Sequence, residues 1–438
     1  MNFSEAAAYL FSLGNEVSAM KLGLEATEKL LAALGNPEKH FLKIQVAGTN
    51  GKGSTCVFLD AICRIANVKT GLFTSPHLIS MTERIVIGGA EISEKDFAEH
   101  ATIIRKISEK LVEKNELETV PTFFEQMTAI AISAFAEAKI ELAILETGLG
   151  GRYDSVTATR AEIAAITPID YDHQQFLGNT LTKIAAEKAA IIRRDARVLV
   201  ALQKREAENV IKSKCFEVGV EPIRAIPNVQ VLEDLSGGLL RLSLTTEQNN
   251  YEAVLRMRGK HQWTNATLAI YIAENLRDFN FVIPKESIEN GLATAEHQGR
   301  LEFWAQTDAS AILFDGAHNA AGAKSLLAYL DEFIEQPITL VFGAMKDKDL
   351  REIARILFPK AAKLIFTKAS NSRSMETAEL MEFVPTSFES ENVLQIENVE
   401  EALKIAEEIS GKENLICVTG SLYLVGEAQK QLAISSKQ

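Results

Sequence analysis

A glycine-rich turn between a short apolar strand and a helix limits most strongly what this chain can fold into. The run Leu42 to Ala47 predicts a buried strand, and helical spacing of apolar residues begins near Ser54. The turn between them reads Gly48-Thr49-Asn50-Gly51-Lys52-Gly53-Ser54. Glycines let the backbone turn tightly with its N–H groups pointing inward, and the helix N-terminus adds positive potential. The pattern is typical of a loop that cradles nucleotide phosphates, with Lys52 reaching the outer ones.

The spacing of this loop leaves one alternative open. It is two residues shorter than the usual P-loop, in which four residues separate the first glycine from Gly-Lys. A purely structural strand-to-helix turn is therefore the alternative interpretation. The hydroxyls of Ser54 and Thr55 favour the phosphate loop, because they are positioned to bind a metal ion or a phosphate.

Length, charge and cysteine usage exclude several classes of protein. A chain of 438 residues predicts two or three domains. The net charge is −13 and no stretch clusters Lys and Arg with aromatic residues, so we expect no nucleic-acid partner. The four cysteines form no CxxC pair, which suits a reducing cytoplasm. No apolar stretch approaches membrane-spanning length, so we expect a cytoplasmic protein without a membrane partner. We also expect it to be a monomer.

Strands and helices alternate through the first part of the chain. Beyond the phosphate loop, strands are predicted at 70–73, 140–146 and 162–167, with helices near 94–115 and 124–139. Such alternation predicts right-handed βαβ units and a mostly parallel sheet. Ligands bind such sheets beyond the carboxyl ends of the strands.

Polar side chains follow the predicted strands at that edge. Ser75, Glu146, Asp172 and His173 each come just after a strand, and we expect them to converge beside the phosphate loop. Each has a structural alternative, such as a turn residue or an ion pair between Glu146 and Arg152. A carboxylate and hydroxyls near a triphosphate are what Mg²⁺ prefers, although an imidazole is a less obvious ligand for it.

Lys188 is predicted on the apolar face of a helix. It shares that face with Leu181, Ile184 and Ile192. One interpretation is that its stem packs while its ammonium reaches the surface. The other is burial, which lowers the amine pKa and favours the neutral form. A neutral amine near Mg²⁺ can react with CO₂ to give a carbamate, which converts a cation into a metal-binding carboxylate.

The remainder of the chain predicts two further regions. From about 196 to 260 we expect short antiparallel hairpins appended to the main sheet. A domain boundary is predicted at 297/298, which divides the chain into domains 1–297 and 298–438. The second domain is predicted to be a smaller doubly wound α/β domain, with strands at 311–315, 338–342, 363–367, 393–396 and 415–418.

An ordered set of short motifs extends over nearly the whole chain. They are Gly-Thr-Asn-Gly-Lys-Gly-Ser (48–54), Thr-Ser-Pro-His-Leu (74–78), Glu-Thr-Gly-Leu-Gly-Gly-Arg (146–152), Asp-His (172–173) with Leu-Gly-Asn-Thr (177–180), Glu-Lys-Ala (187–189), His-Gln-x-x-Asn-Ala (261–266), Gly-Arg-Leu-Glu (299–302), Asp-Gly-Ala-His-Asn (315–319) and Gly-Ser-Leu-Tyr-Leu-Val-Gly-Glu (420–427). Together they resemble the folylpolyglutamate synthase and dihydrofolate synthase family, the folate branch of the Mur ligases.

The resemblance implies a fold, an activity and cofactors. The fold would be an N-terminal P-loop ATPase domain of the Mur ligase type with a mostly parallel sheet, followed by a smaller Rossmann-like α/β domain. The activity would be an ATP- and Mg²⁺-dependent amide ligase that joins L-glutamate to dihydropteroate or a folate. The alternatives are another Mur-type amino-acid ligase and a nucleotide-binding regulator without ligase turnover.

The resemblance also implies roles for individual residues. Lys52, His173 and Lys188 would be catalytic. The metal ligands would be Ser75, Glu146, His173 and a carbamylated Lys188. Nucleotide would contact Gly48, Thr49, Asn50, Gly51, Lys52, Gly53, Ser54, Gln262, Asn265, Arg300, Asp315 and His318. The acid substrate would contact Leu22, Gly23, Leu24, Thr122, Phe123, Phe124, Glu125 and Asp154, with Phe123 or Phe124 stacking on the flat heteroaromatic ring.

Overall fold

A computed structural model describes residues 1–14, 23–305, 310–386 and 388–435 of the chain. Its strands are β1 Leu42–Ala47, β2 Thr70–Phe73, β3 Ile85–Ile87, β4 Ala90–Glu91, β5 Leu142–Glu146, β6 Ile163–Ile166, β7 Arg197–Ala201, β8 Ile223–Ala225, β9 Val229–Asp234, β10 Leu240–Thr245, β11 Asn250–Leu255, β12 Glu302–Trp304, β13 Ala311–Asp315, β14 Ile338–Phe342, β15 Lys363–Phe366, β16 Val393–Gln395 and β17 Leu415–Thr419.

The α-helices lie between these strands in most cases. They are α1 Phe3–Ser12, α2 Glu25–Ala33, α3 Lys52–Ile65, α4 Glu94–Glu113, α5 Phe123–Glu137, α6 Gln174–Leu177, α7 Leu181–Ala189, α8 Arg205–Val218, α9 His261–Asn275, α10 Lys285–Thr294, α11 Ala320–Phe333, α12 Leu350–Leu357, α13 Thr377–Leu380, α14 Val399–Ser410 and α15 Leu422–Ser435. Among the described residues, no helix combines the length and the apolar character needed to cross a membrane.

The first sheet has eight strands in the order β4-β3-β2-β5-β1-β6-β7-β8. All pairings between neighbours from β2 to β8 in this order are parallel, and only the pairings of β3 with β2 and with β4, at one edge, are antiparallel. The predicted mostly parallel sheet is therefore confirmed. Strand β1 lies at its centre, with β5 on one side and β6 on the other, so polar residues that follow these three strands meet at the same edge.

The phosphate loop follows β1 directly, as predicted, but its helix begins two residues earlier than expected. Helix α3 starts at Lys52, and Gly51 precedes it with a φ of 86°. Apolar residues on α3 such as Phe58 and Ile62 are fully buried in the same cluster as Ile44 and Val46 of β1. This packing holds the strand, the loop and the helix as one unit.

The prediction for residues 196–260 was wrong in two respects. The stretch contains helix α8, and β7 and β8 extend the main sheet in parallel rather than as hairpins. The antiparallel strands do exist, but β9, β10 and β11 form a separate three-stranded sheet. The apolar face of α8 carries only three fully buried residues (Ala207, Ile211 and Cys215) among many charges, which weakened its helical pattern in the sequence.

The last six strands form a second sheet in the order β12-β13-β17-β14-β15-β16. All pairs are parallel except the edge strand β12, which the sequence analysis did not predict. Alternate residues of β13 enter opposite cores, with Leu313 on one face and Ile312 and Phe314 on the other. Helices therefore cover both faces, which confirms the doubly wound architecture.

The small antiparallel sheet contacts the C-terminal part of the chain. The Tyr329 hydroxyl on α11 donates a hydrogen bond to the Gly237 carbonyl at 2.9 Å. A Cβ at Gly238, whose φ is 73°, would lie 2.5 Å from the Tyr329 ring. The turn between β9 and β10 thus packs closely on α11 because it carries glycine.

The assignment of domains to residues 1–297 and 298–438 stays a prediction.

Candidate active site

Most of the predicted site residues lie around one cavity of about 550 Å³. The N-terminal part of the chain, which contains the first sheet, supplies the carboxyl-terminal edge of that sheet and the start of α9. The C-terminal part, which contains the second sheet, supplies the loops that follow β13, β14 and β17. The strand-end groups predicted to converge, which are Ser75, Glu146, Asp172 and His173, all line it. Their convergence is therefore confirmed.

The phosphate loop is held against the segment that follows β6. The Thr49 hydroxyl donates to the carbonyl of Asp170 and accepts the Asp170 N–H, both at 3.0 Å. A Cβ at Gly48 would lie 1.8 Å from the Thr167 hydroxyl oxygen, and one at Gly51 would lie 2.1 Å from Asn265 Oδ1. Only glycine fits at both positions, which also have positive φ angles.

Glu146 and Lys52 place opposite charges on the wall of the cavity. Glu146 is 5% exposed, and its Oε2 accepts the Ser75 N–H at 3.0 Å. Burial raises the pKa of this carboxyl, while the nearby Lys52 charge acts in the opposite direction. The alternative pairing of Glu146 with Arg152 does not occur, because Arg152 pairs with Glu187 at 2.9 Å.

Lys188 is buried, which decides between the two interpretations of its place on the apolar face. It is 5% exposed, and its Nζ donates to the Gly48 carbonyl at 2.7 Å. Burial lowers the pKa of the amine to about 7, and the charge of Lys52 acts in the same direction. The alternative of a lysine that reaches the surface is therefore excluded. A substantial fraction of the amine is neutral near pH 7, which is the condition for a reaction with CO₂.

Asp172 carries the densest set of contacts in the cavity. Its Oδ1 accepts the His173 N–H at 2.8 Å and the Lys348 ammonium at 2.7 Å. Its Oδ2 accepts the Asn319 amide at 3.0 Å. Burial alone raises the pKa of this carboxyl, but the hydrogen bond from His318 and the Lys348 charge outweigh burial and hold the pKa well below its usual value.

His173 begins the short helix α6 in a left-handed conformation with a φ of 48°. Burial lowers the pKa of its imidazole to about 4, which the Asp172 charge only partly offsets. Its Nδ1 is buried and has no hydrogen-bond partner in the part of the chain that the structure describes. The ring is therefore neutral at pH 7 and has one free nitrogen, so it is available as a ligand.

Arg300, Asp315 and His318 face the phosphate loop from the C-terminal side. Asp315 accepts the Leu301 and Ala317 N–H groups, both at 3.0 Å. Burial raises the Asp315 pKa, and the Arg300 charge acts in the opposite direction. His318 donates from Nδ1 to the Gly316 carbonyl at 2.7 Å.

Gln262 and Asn265 lie at the start of α9, beside the phosphate loop. The Asn265 amide donates to Gln262 Oε1 at 2.8 Å, and Gln262 Nε2 lies 3.4 Å from the Ser54 hydroxyl. His297 Nδ1 lies 3.2 Å from the same hydroxyl. Burial lowers the His297 pKa to about 3, with the Arg300 charge acting in the same direction.

The segment proposed to bind the acid substrate has both structural and cavity-lining members. Thr122 and Glu125 form a capping box at the N-terminus of α5, and both line the cavity. Phe123 is 3% exposed and packs in the core, where its ring stacks on Phe11 at 6.0 Å. Phe124 instead lines the cavity and lies against Gly148, where a Cβ would come within 2.5 Å of the ring.

Four further predicted substrate contacts have different positions. Asp154 lines the cavity but is occupied by the backbone, since it accepts the Leu149 and Val156 N–H groups at 2.9 and 3.0 Å. Burial raises its pKa to about 6. Gly23 and Leu24 precede α2, and neither belongs to the cavity wall. Leu22 lies outside the described residues.

The chemistry of the donors is compatible with Mg²⁺. Within the described ranges, no three His, Cys, Asp or Glu side chains form a group that would hold a metal ion by themselves. Mg²⁺ requires only one or two protein carboxylates, because it keeps water and takes phosphate oxygens as further ligands. Glu146 supplies a buried carboxylate beside Ser75, and His173 supplies the unpartnered nitrogen. These residues fit the ion together with a triphosphate.

Several cavity residues were not assigned a role from the sequence. They are Asp172, His297, Asn319 and Lys348. Asp172 and Asn319 lie within two of the motifs, His297 lies just before the Gly-Arg-Leu-Glu motif, and Lys348 follows the strand predicted at 338–342. Their contacts with one another depend on how the two sheets face each other, which local patterns do not encode.

Two family models match the chain: the Mur ligase middle domain over residues 46–273, and the Mur ligase glutamate ligase domain over residues 299–422. Over 420 residues the chain is 34% identical to the dihydrofolate synthase/folylpolyglutamate synthase of Bacillus subtilis, which covers 94% of this chain and 95% of that protein.

Two solved structures share the fold over almost their full lengths. The structure of E. coli FolC in complex with DHPP and ADP has a TM-score of 0.86 and 25% identity, covering 100% of this chain and 99% of that chain. The bifunctional folylpolyglutamate synthase/dihydrofolate synthase of Yersinia pestis, complexed with AMPPNP and Mn ion, has a TM-score of 0.83 and 26% identity, covering 99% and 98%. With the middle-domain model covering more than half of its 438 residues, the chain belongs to the dihydrofolate synthase/folylpolyglutamate synthase branch of the Mur ligase family.

Proposed function

We propose that this chain is an ATP-dependent ligase that joins L-glutamate to dihydropteroate, to tetrahydrofolate, or to both. With a folate as acceptor the products are polyglutamates. The observation that carries the proposal is the single cavity in which the phosphate loop, Glu146 and Lys188 face Arg300 and Asp315. Its relatives support the substrate class, because one was solved with DHPP and ADP.

The nucleotide is proposed to lie between the phosphate loop and the C-terminal sheet. Residues 48–54 would surround the phosphates with backbone N–H groups, and the Lys52 ammonium would offset their charge. Gln262 and Asn265 would contact adenine, although Asn265 also packs directly on Gly51. Arg300, Asp315 and His318 would contact the nucleotide from the opposite wall.

Ser75, Glu146, His173 and a carbamylated Lys188 are the proposed ligands of Mg²⁺. A relative was solved with AMPPNP and Mn ion, which supports a divalent metal beside the nucleotide. When bound, the ion would offset negative charge on the phosphoryl group during transfer. Lys188 lies 2.7 Å from the first glycine of the loop and is buried, so a carbamate there would place oxygen ligands beside the phosphates.

For the acid substrate, we propose that Phe124 rather than Phe123 stacks on the pterin ring. Phe124 lines the cavity, whereas Phe123 is enclosed in the core. A flat heteroaromatic ring gains from an offset-stacked aromatic partner. Thr122 and Glu125 would keep the start of α5 in place through their capping box while the acid binds beside it.

The arrangement suits amide formation through an acyl phosphate. A carboxylate is a poor electrophile, so its oxygen first attacks the γ-phosphorus of ATP, and ADP leaves. The glutamate amine then attacks the acyl carbon and forms the C–N bond. The tetrahedral intermediate loses a proton from nitrogen, and its C–O bond to phosphate breaks, which leaves the amide and releases phosphate. Lys52 and the loop amides stabilise charge in the first step. Closure of the cavity walls around the substrates would exclude water, which would otherwise hydrolyse the acyl phosphate.

We place the enzyme in the cytoplasm and propose that it acts as a monomer. All four cysteines are buried free thiols, which suits a reducing compartment. The cavity walls come from two parts of one chain, which is compatible with a monomer.

A panel of ADP-release assays tests the function. Purified protein with Mg·ATP is given dihydropteroate or tetrahydrofolate, each with and without L-glutamate. We expect ADP release that requires both the acid and glutamate, with the new amide identified by mass spectrometry. Release that requires a different acid or amino acid would indicate another Mur-type ligase. Nucleotide binding without acid- and amino-acid-dependent release would indicate a regulator.

A further inference from the structure

We propose that Asp172 is a positioning residue of the ligase reaction, which holds Lys348 and Asn319 of the C-terminal part against the phosphate loop. The inference rests on the proposed ligase function and extends it to a residue that would touch neither ATP nor the reacting carboxyl. The cavity has its working shape only while Asp172 makes these contacts.

The first observation is that Asp172 joins two separate loops of the C-terminal part. The Lys348 ammonium, from the loop after β14, donates to Asp172 Oδ1 at 2.7 Å. The Asn319 amide, at the N-terminus of α11, donates to Asp172 Oδ2 at 3.0 Å. Both side chains of the ion pair are 9% exposed. An ion pair this enclosed is weakly screened by water, and removing one partner leaves the other charge uncompensated.

The second observation is that Asn319, besides its contact with Asp172, also forms a hydrogen bond with the phosphate loop. Its Oδ1 accepts the Gly322 N–H at 2.8 Å as the cap of α11, so its amide nitrogen must face the other way. That nitrogen donates to Asn50 Oδ1 at 3.0 Å as well as to Asp172. Asn319 therefore links α11, the segment after β6 and the phosphate loop through one side chain.

The consequence for the reaction is geometric. The amine and the activated carboxyl must approach within bonding reach, and a displacement of about 1 Å can reduce the rate about a hundredfold. Lys348 and Asn319 line the cavity on the C-terminal wall, and residues of the phosphate loop line the opposite wall. Asp172 is the acceptor common to both C-terminal side chains, so it sets the distance between the walls.

An exchange of donor and acceptor tests the inference. In Asp172→Asn, the introduced amide nitrogen faces the ammonium of Lys348 or the amide of Asn319, both of which are donors. In Asn319→Asp, two carboxylates face each other. In the double variant, the introduced amide at 172 can donate to the introduced carboxylate at 319, which still caps α11. Coupled sites of this kind are resolved by a double-mutant cycle.

The first readout is kinetic, on the full chain. We expect each single variant to lower kcat/KM for the amino acid by about tenfold or more, while the Kd for ADP changes less than about threefold. The double variant should recover most of the loss. Wild-type kcat/KM in both single variants would overturn the inference, and so would losses that simply multiply in the double variant.

Further variants keep the test decisive. If Asp172→Asn does not fold by circular dichroism, Lys348→Met removes the cation from the other side and should cause the same loss of kcat/KM; unchanged kinetics would overturn the inference. Asp195→Asn is the matched control, because Asp195 pairs with Arg193 at 3.7 Å and is largely exposed. It should leave all parameters unchanged.

The second readout does not depend on turnover. Hydrogen exchange of the backbone from 316 to 322 and from 345 to 349 should accelerate in Asp172→Asn and return toward wild type in the double variant. Unchanged exchange would overturn the inference. A wild-type chain without glutamate-dependent ADP release would instead contradict the proposed function, and the exchange result would still decide the role of Asp172.

Discussion

The amine nitrogen of Lys188 lies 2.7 Å from the carbonyl oxygen of Gly48, so helix α7 and the phosphate loop are joined by a buried hydrogen bond. The contact places an amine whose pKa is lowered by burial to about 7 at the first residue of the loop. An ammonium held there would oppose a metal ion, whereas a carbamate would bind one.

Replacement of Lys188 should remove most activity and allow a chemical rescue. Lys188→Ala leaves a space beside Gly48 without a cation or a carbamate, so we expect glutamate-dependent ADP release to fall at least a hundredfold. Acetate or formate at millimolar concentration should restore part of it by supplying a carboxylate. Independently of activity, wild-type protein in ¹³C-bicarbonate should show a carbamate carbon resonance that is missing from Lys188→Ala.

The matched control for this prediction is Lys183→Ala, because Lys183 lies on the same helix but is exposed. It should keep both the resonance and the activity. A fully active Lys188→Ala enzyme, with no carbamate resonance in the wild type, would contradict the metal-ligand role.

Loss of the Lys52 ammonium should affect phosphoryl transfer far more than folding. Lys52→Ala removes a cation at the phosphate loop, and we expect kcat for ADP release to fall about 10²–10³-fold. The thermal midpoint should remain near that of wild type, since within the described part of the chain the one hydrogen bond of the Lys52 ammonium is a long one, at 3.3 Å to the Thr49 carbonyl. The exposed Lys95 offers a control as Lys95→Ala. Normal turnover by folded Lys52→Ala protein would refute the assignment of the loop.

Adjacent phenylalanines should separate binding from stability. Phe124→Leu replaces an aromatic ring on the cavity wall with an aliphatic side chain that cannot stack. We expect the KM for the acid to rise about tenfold while the KM for ATP is unchanged. Phe123→Leu alters the core instead and should lower the free energy of unfolding by about 1–3 kcal/mol with little change in either KM. Steady-state kinetics and urea unfolding distinguish the two, and the opposite pattern would reassign the stacking ring.

His77 should make the fold less stable in mild acid. Burial and the Arg84 charge lower its pKa to about 3, whereas an unfolded histidine titrates near pH 6.5. Below pH 6.5 the unfolded chain therefore binds a proton that the folded chain does not, and stability is lost as the pH falls toward 3. From pH 7 to pH 5 this histidine accounts for at most about 2 kcal/mol.

The test is urea unfolding of wild type and His77→Gln at pH 7 and pH 5. The variant should lose less stability over this interval, since glutamine can still accept the Arg84 hydrogen bond without titrating. An identical slope in His77→Gln and wild type would show that His77 does not contribute.

Local sequence patterns were sufficient to place a residue where its chemical type and the spacing of its apolar neighbours indicate the same position. The apolar run before Gly48 ends where β1 ends, and the helical spacing correctly placed Lys188 on the apolar face of α7, where it is buried. Helix α8 was not predicted because few apolar residues mark its buried face and most of its other residues are charged or polar. Phe123 and Phe124 are indistinguishable by residue type, and only packing separates them. The partners of Asp172 lie 147 and 176 residues away, so they depend on the mutual placement of two sheets.

The strand order of the first sheet bears on how new modules can be added to the chain. Its outermost strands, β4 and β8, each lie two positions beyond β2 and β6, the nearest strands whose ends supply residues to the cavity. Peptides grafted at the β3–β4 turn or near β8 would therefore lengthen the periphery without displacing the reactive groups. An accessory domain attached at either edge strand of this sheet would likewise leave the arrangement of the cavity residues at its centre unchanged.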